Sequence, residues 1–332
     1  MFELLGIALS TRSLLAGIFS FVFMLICGKA FIQFLQRKQW GQVIRDLGPE
    51  SHYSKKNTPT MGGILILLSI ILSCLIFGDL KNLLLWMGLF VLISMGMIGG
   101  IDDGLKILKK NHRGLSARWK YGLLSVVAVF IAFCLYRLSP EGSVHLPVAS
   151  REISLGAWII LLNYFVLTGS GNAVNLSDGQ DGLVSTLVAI AALVFVIFAW
   201  TLPFHGLLGS EEIGIFGAAI VGASLGFLWF NAYPASVFMG DVGSLALGGA
   251  LGFLAMVLRL ELLYLLIGFV FVMEALSVIL QVGYFKLTKG KRIFKMAPIH
   301  HHFELLGIPE SKVTMRFCLV GLLCGILSFW VF

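Results

Sequence analysis

Five short stretches of this 332-residue chain carry side chains whose types and spacing suit chemistry on a phosphate. The first is Asn231-Ala232-Tyr233-Pro234-Ala235-Ser236-Val237-Phe238-Met239-Gly240-Asp241-Val242-Gly243-Ser244, in which Asp241 lies between two glycines. Pro234 and the glycines predict a break in helix there. A carboxylate on a tight, glycine-flanked turn suits a hard divalent cation, because Mg²⁺ takes oxygen ligands and often only one or two carboxylates. The alternative is an interfacial turn with a solvated aspartate.

The second stretch runs from Lys55 to Gly63. Lys55, Lys56, Thr58 and Thr60, with free N–H groups at a helix start, can hold phosphate oxygens; a basic juxtamembrane stop with Pro59 as helix initiator is the competing reading. Third, Gly99-Gly100-Ile101-Asp102-Asp103-Gly104-Leu105-Lys106 ends an apolar run. Adjacent carboxylates at that depth are costly and tend to serve a function. Neighbours in a helix face different ways, so Asp102 and Asp103 need not share one. Fourth, Asn175-Leu176-Ser177-Asp178-Gly179-Gln180-Asp181-Gly182 opens another span; on one helical turn Asp178 and Asp181 would share a face, with capping as the plainer role. Fifth is Met296-Ala297-Pro298-Ile299-His300-His301-His302-Phe303-Glu304. Three consecutive histidines cannot all face one metal in regular structure, which argues against a His₃ zinc site, but imidazoles can donate to phosphate oxygens. A sixth feature stands alone: Glu274, mid-span in Val272-Met273-Glu274-Ala275-Leu276, either structural or part of a transport path.

The elements that must position these residues are membrane helices. The chain is 58% hydrophobic and 12% charged, with mean hydropathy +0.95, which excludes a soluble globular protein. Apolar runs predict about ten spans, near 13–35, 61–78, 83–101, 118–138, 155–174, 183–203, 212–230, 243–258, 262–285 and 313–332. No polar stretch is long enough for a second domain, so the whole of 1–332 reads as one integral membrane unit. The run after Arg12 reads as a full span rather than a cleavable leader. Basic residues crowd alternate loops: Arg37, Lys38, Arg45, Lys55 and Lys56; Lys106 to Lys120; Lys286 to Arg316. Those loops are expected to be cytoplasmic, with both termini outside. The chemistry-bearing stretches fall on the same side, so a site of converging cytoplasmic loops is expected. Net charge +7 suits anionic lipids and phosphates. Cys27, Cys74, Cys134, Cys318 and Cys324 lie in apolar runs without CxxC spacing and read as packing residues.

Taken together, Lys55–Gly63, Gly100–Lys106, Asn175–Gly182, Asn231–Ser244 and Pro298–Glu304 resemble, in order and separation, the polyprenyl-phosphate N-acetylhexosamine-1-phosphate transferase superfamily. The bacterial phospho-N-acetylmuramoyl-pentapeptide transferase branch is the nearest match, and Pro-Ile-His-His-His-Phe-Glu is its most specific text. The resemblance implies a ten-helix, dimeric enzyme of the bacterial inner membrane. Its reaction would join UDP-N-acetylmuramoyl-pentapeptide to undecaprenyl phosphate with Mg²⁺, giving lipid I and UMP, the first membrane step of peptidoglycan synthesis. Nucleic acid is not among the expected partners. By the same resemblance Asp241 is the metal ligand, Asp102 a candidate base, and Lys55, Thr60, Asp178, Gly179, Asp181, Asn231 and Phe238 surround the nucleotide. His300 and His301 would contact phosphate or substrate. The expected catalytic set is Lys55, Asp102, Asp103, Asp241 and His300. Lys56, Thr60, Lys106, Asn175, Asp178, Gly179, Asp181, Asn231, Phe238, His301 and His302 would bind substrate. Two rivals are a transferase of another UDP-N-acetylhexosamine and a proton-coupled transporter built on Glu274.

Overall fold

In hydrocarbon every backbone polar group must be satisfied within the segment, so the apolar runs fold as helices. The computed structural model describes residues 8–38, 40, 58–109, 114–149, 151–201 and 206–332. Its elements are α1 (Leu9–Arg37), α2 (Gly63–Phe77), α3 (Leu83–Lys109), α4 (Ala117–Leu138), β1 (Ser143–Leu146), β2 (Arg151–Ser154), α5 (Trp158–Ser177), α6 (Leu183–Thr201), α7 (Ile213–Asn231), α8 (Gly240–Val257), α9 (Tyr264–Ile267), α10 (Phe269–Leu287), α11 (Ile299–Glu304) and α12 (Glu310–Val331).

Among the described residues nine helices are long and apolar enough to cross a bilayer. The expected span near 61–78 is the fifteen-residue α2, which at 1.5 Å per residue covers only about 22 Å. The expected span near 262–285 is divided into α9 and α10 at Gly268. The all-helical expectation needs one amendment: β1 and β2 pair antiparallel, Ser143 opposite Ser154. β-Branched Val144 and Ile153 flank the Pro147-Val148 turn, a hairpin pattern hidden in an otherwise polar loop.

α8 is the axis of the bundle. It packs against α3, α5, α2 and α6, and nine-tenths of its span is buried. Glycines permit this, since small residues let membrane helices approach backbone to backbone. Gly63 lies against Gly243, Gly99 against the backbone of Asp241, and Gly248 against Ser170. A Cβ at Gly99 would overlap the carbonyl oxygen of Asp241.

The end of the bundle away from Asp241 is closed by polar ties. Buried Arg12, 4% exposed, donates to both carboxylate oxygens of Glu212 (2.7 and 3.0 Å) and to the Phe77 carbonyl (2.8 and 3.0 Å). It thereby joins the starts of α1 and α7 to the end of α2. The end of α12 reaches the hairpin, with the Val148 N–H donating to the Val331 carbonyl at 2.6 Å. The start of α1 and the end of α12 thus share the end opposite the acidic residues. Glu261, in the α8–α9 connection, is 3% exposed, and burial pushes its carboxyl up to about 8.

Two outcomes are expected. Gly99→Ala should force α3 and α8 apart and lower the melting temperature, by an overpacking cost of about 1–3 kcal/mol; unchanged melting would contradict the close approach. For Glu261, the folded carboxyl holds a proton that the unfolded one releases at lower pH. Its stabilising effect is full below about 4.5 and lost as pH rises toward 8, at up to about 1.4 kcal/mol per pH unit. Glu261→Gln should flatten that part of a melting-temperature–pH profile, and a profile with the wild-type slope would refute the assignment.

Candidate active site

Asp102 and Asp103 lie in the last turns of α3, which extends to Lys109 rather than ending near residue 101. Lys106 follows by four and three residues, so helical geometry brings its ammonium back over both. Its Nζ is 2.7 Å from Asp102 Oδ2, 3.3 Å from Asp103 Oδ1 and 3.0 Å from Asp241 Oδ2. Asp241 sits in the first turn of α8. The break expected around Pro234 and Gly240 therefore precedes it, with Gly240 in a left-handed conformation (φ 74°).

One carboxylate oxygen from each of Asp102, Asp103 and Asp241 falls within 4.8 Å of the others. Although adjacent in sequence, Asp102 and Asp103 both reach this point, because the backbone of α8 passes directly over Gly99. A second cation closes the cluster: Lys120, from the start of α4, lies 2.6 Å from Asp241 Oδ2 and 3.6 Å from Asp102 Oδ2. Lys120 belongs to the functional group but reads in sequence as one more basic loop residue. Neutral donors fix the remaining oxygens. The Leu115 N–H donates to Asp102 (2.7 Å) and the Val242 N–H to Asp103 (3.2 Å). Asn175 Nδ2 donates to Asp241 Oδ1 at 3.0 Å and to Ser244 at 2.8 Å.

Three hard oxygen donors set beside two ammoniums carry one net negative charge when all five ionise, a set that suits a divalent cation. The Lys106 ammonium stands where positive charge is demanded. The donor set therefore fits a metal, and it is wider than the single ligand Asp241 expected from the sequence.

The turn between α5 and α6 lies beside this cluster. Asp178 is half-buried, and burial, followed by the charges of Asp241 and Asp103, pushes its carboxyl up to about 8. Asp178 and Asp181 do not share a helical face, since both precede α6 in a turn. Asp181 instead accepts from the Ala235 N–H at 2.9 Å, and its own N–H donates to Glu310 at 2.9 Å. Asn231 is committed to the same framework, accepting from the Gly182 N–H and Ser185 and donating to the Val237 carbonyl at 2.9 Å. Sequence reading missed the anchoring role of Glu310, which looks like an ordinary N-terminal acid of a helix. Phe238 is half-buried, and its backbone pairs with Pro59 and Gly62. Thr60 is buried beside Gly240. Lys55 and Lys56 lie outside the described residues.

The three histidines each have a different polar neighbour. His300 is fully buried, with Nδ1 3.1 Å from Glu274 Oε2. His301 Nδ1 lies 3.4 Å from Glu304. His302 Nδ1 accepts from the Lys295 N–H at 3.1 Å. Glu274 thus faces a histidine of this end of the bundle rather than lipid.

Residues 85–259 match the family model described as Glycosyl transferase family 4, more than half of the chain. Residues 55–67 match the phospho-N-acetylmuramoyl-pentapeptide-transferase signature 1. A phospho-N-acetylmuramoyl-pentapeptide-transferase of Francisella philomiragia is 46% identical, with 97% of this chain and 92% of the relative aligned. Its namesakes in Francisella tularensis subspecies tularensis and novicida are 47% identical over the same shares. Identity of this order across nearly the full length, on a helical frame that carries the matched acidic motifs to one point, establishes that the chain belongs to the phospho-N-acetylmuramoyl-pentapeptide transferase family.

Proposed function

We propose that this chain transfers phospho-N-acetylmuramoyl-pentapeptide from the UDP-linked sugar to undecaprenyl phosphate, releasing UMP and forming lipid I in the bacterial cytoplasmic membrane. The observation that carries the reading is the convergence of Asp102, Asp103 and Asp241 with Lys106 and Lys120 at one end of a membrane bundle. One substrate is a soluble charged nucleotide and the other a phosphate on a lipid tail, so their reacting groups meet only at the bilayer edge. The positive-inside pattern supports a site on the cytoplasmic face, with both termini outside. The homodimer rests on the family resemblance alone; the exposed apolar residues of α1, such as Leu14, Ile18 and Ile26, suit either lipid or a second copy.

The lipid phosphate oxygen attacks the sugar-bearing phosphorus in line, and the bond to the oxygen of UMP breaks. A phosphate monoester has a second pKa of about 6, so the nucleophile is already largely a dianion at neutral pH. A strong base is unnecessary, and Asp102, held by the Leu115 N–H and Lys106, orients charge rather than removing a proton. Mg²⁺ held by Asp241 with Asp102 and Asp103 would neutralise charge on the diphosphate oxygens. Lys106 and Lys120 move from the carboxylates toward the phosphates as substrate arrives, keeping the site near neutrality. Lys55, Lys56 and His301 add phosphate contacts, whereas His300, expected from the sequence to do the same, is fully buried beneath the Asp178–Asp181 turn and does not. Phe238 stacks on uracil, a usual role for an aromatic beside a base. Asn175 aims Asp241, while Asp178, Gly179, Asp181 and Asn231 shape the nucleotide cradle.

Purified protein given UDP-N-acetylmuramoyl-pentapeptide should release UMP only when undecaprenyl phosphate is present. Chelation should stop release and Mg²⁺ restore it; release from UDP-N-acetylglucosamine instead would redirect the substrate assignment. Asp241→Asn should lower kcat by about 10²-fold or more with folding intact, the scale of losing one preorganised electrostatic contact, and normal Mg²⁺-dependent turnover in that variant would remove Asp241 from the metal. Lys120→Gln should cost at least about tenfold by leaving Asp241 under-neutralised; wild-type turnover would make Lys120 a bystander.

A further inference from the structure

Glu274 is a carboxylate inside a membrane helix, 0% exposed, that the transfer chemistry does not use. Burying it is costly unless a partner offsets the charge. The polar group beside it is His300, also 0% exposed, with Nδ1 at 3.1 Å from Oε2. The other side of the imidazole lies under the α5–α6 turn, where a Cβ at Gly179 would overlap Nε2. The ring therefore fills the space beneath the turn, and glycine is what lets the backbone rest on it. α11 holds the same turn a second time, through the donation from Gln180 Nε2 to Glu304 Oε1 at 2.6 Å.

We propose that Glu274 is a positioning residue for nucleotide binding, acting through His300 on the Asp178–Asp181 turn. It rests on the reading of that turn as the nucleotide cradle. With Oε2 3.1 Å from Nδ1, the carboxylate favours a proton on that nitrogen, which sets the tautomer and orients the ring so that its Nε2 edge supports Gly179. His300 then serves the site from below, as a post between the α10 span and the turn, while the ring of neighbouring His301 lies 4.1 Å away and is only partly buried. The role needs a carboxylate: an amide at 274 keeps the shape but can present its NH₂ to Nδ1 and select the opposite tautomer.

The test uses the full-length enzyme in lipid nanodiscs with UDP-N-acetylmuramoyl-pentapeptide and undecaprenyl phosphate. Glu274→Gln should raise KM for the UDP substrate about tenfold or more, the scale of losing such an outer partner. Its kcat should change less, and Glu274→Asp should recover part of the loss. Gly179→Ala pushes on the same ring, so the double variant should lose little more than Gly179→Ala alone, a non-additivity expected of one physical chain. In ¹⁵N-histidine spectra of the wild type, His300 should carry its proton on Nδ1, and Glu274→Gln should shift that signal. Unchanged KM in Glu274→Gln, additive losses, or a His300 protonated only on Nε2 would each overturn the proposal. If Glu274→Gln does not fold, the wild-type spectrum and Glu274→Asp decide it. Wild-type protein inactive on the muramoyl substrate would instead overturn the function, and the spectrum would still report on the Glu274–His300 pair.

Discussion

Mutual repulsion among three aspartates is the constraint on which the rest of this structure depends. Two like charges 4 Å apart cost about 4 kcal/mol at an effective dielectric of 20, and here three carboxylate oxygens fall within 4.8 Å of one another. The arrangement stands because each carboxylate has its own countermeasure. Lys106 returns along its helix to touch all three, Lys120 arrives from α4, and amide donors from Leu115, Val242 and Asn175 take the remaining lone pairs. Remove the close passage of α8 over Gly99 and the cluster disperses into separate, ordinary surface acids. The glycine-rich axis of the bundle and the chemistry at its end are therefore one design.

Several polar residues beside the cluster are spent on holding its floor. Asn231 and Asp181 spend their side chains tying the α5–α6 turn to the α7–α8 connection, and Glu310 ties the same turn to α12. A site floored by loops would be soft without these anchors, because loops sit at the low-stability end of a fold. Here five helices meet at that floor.

Much of this was legible in the sequence, for physical reasons. Lipid forbids irregular backbone, so apolar runs translate almost directly into helices, and the charged residues left over are few enough to mark the site. Asp102, Asp103, Asp241, Asn175 and Asp178 were all visible as costly residues at the ends of spans. What stayed hidden depends on approach between distant segments. Lys120 is indistinguishable from any lysine that obeys the positive-inside bias, Glu310 from any helix-start acid, and the Glu274–His300 pair joins residues 26 positions apart across a kinked loop. The Asp178–Asp181 pair misled in the other direction, since periodicity assumes a helix where the chain makes a turn.

The brevity of α2 has a bearing on the bilayer itself. Its fifteen residues fall short of a hydrocarbon layer of about 30 Å by roughly a quarter, and its start, next to Gly240 and Gly243, abuts the acidic cluster. A bilayer can meet so short a helix by thinning beside it. Thinning there would bring the membrane's edge nearer the three carboxylates.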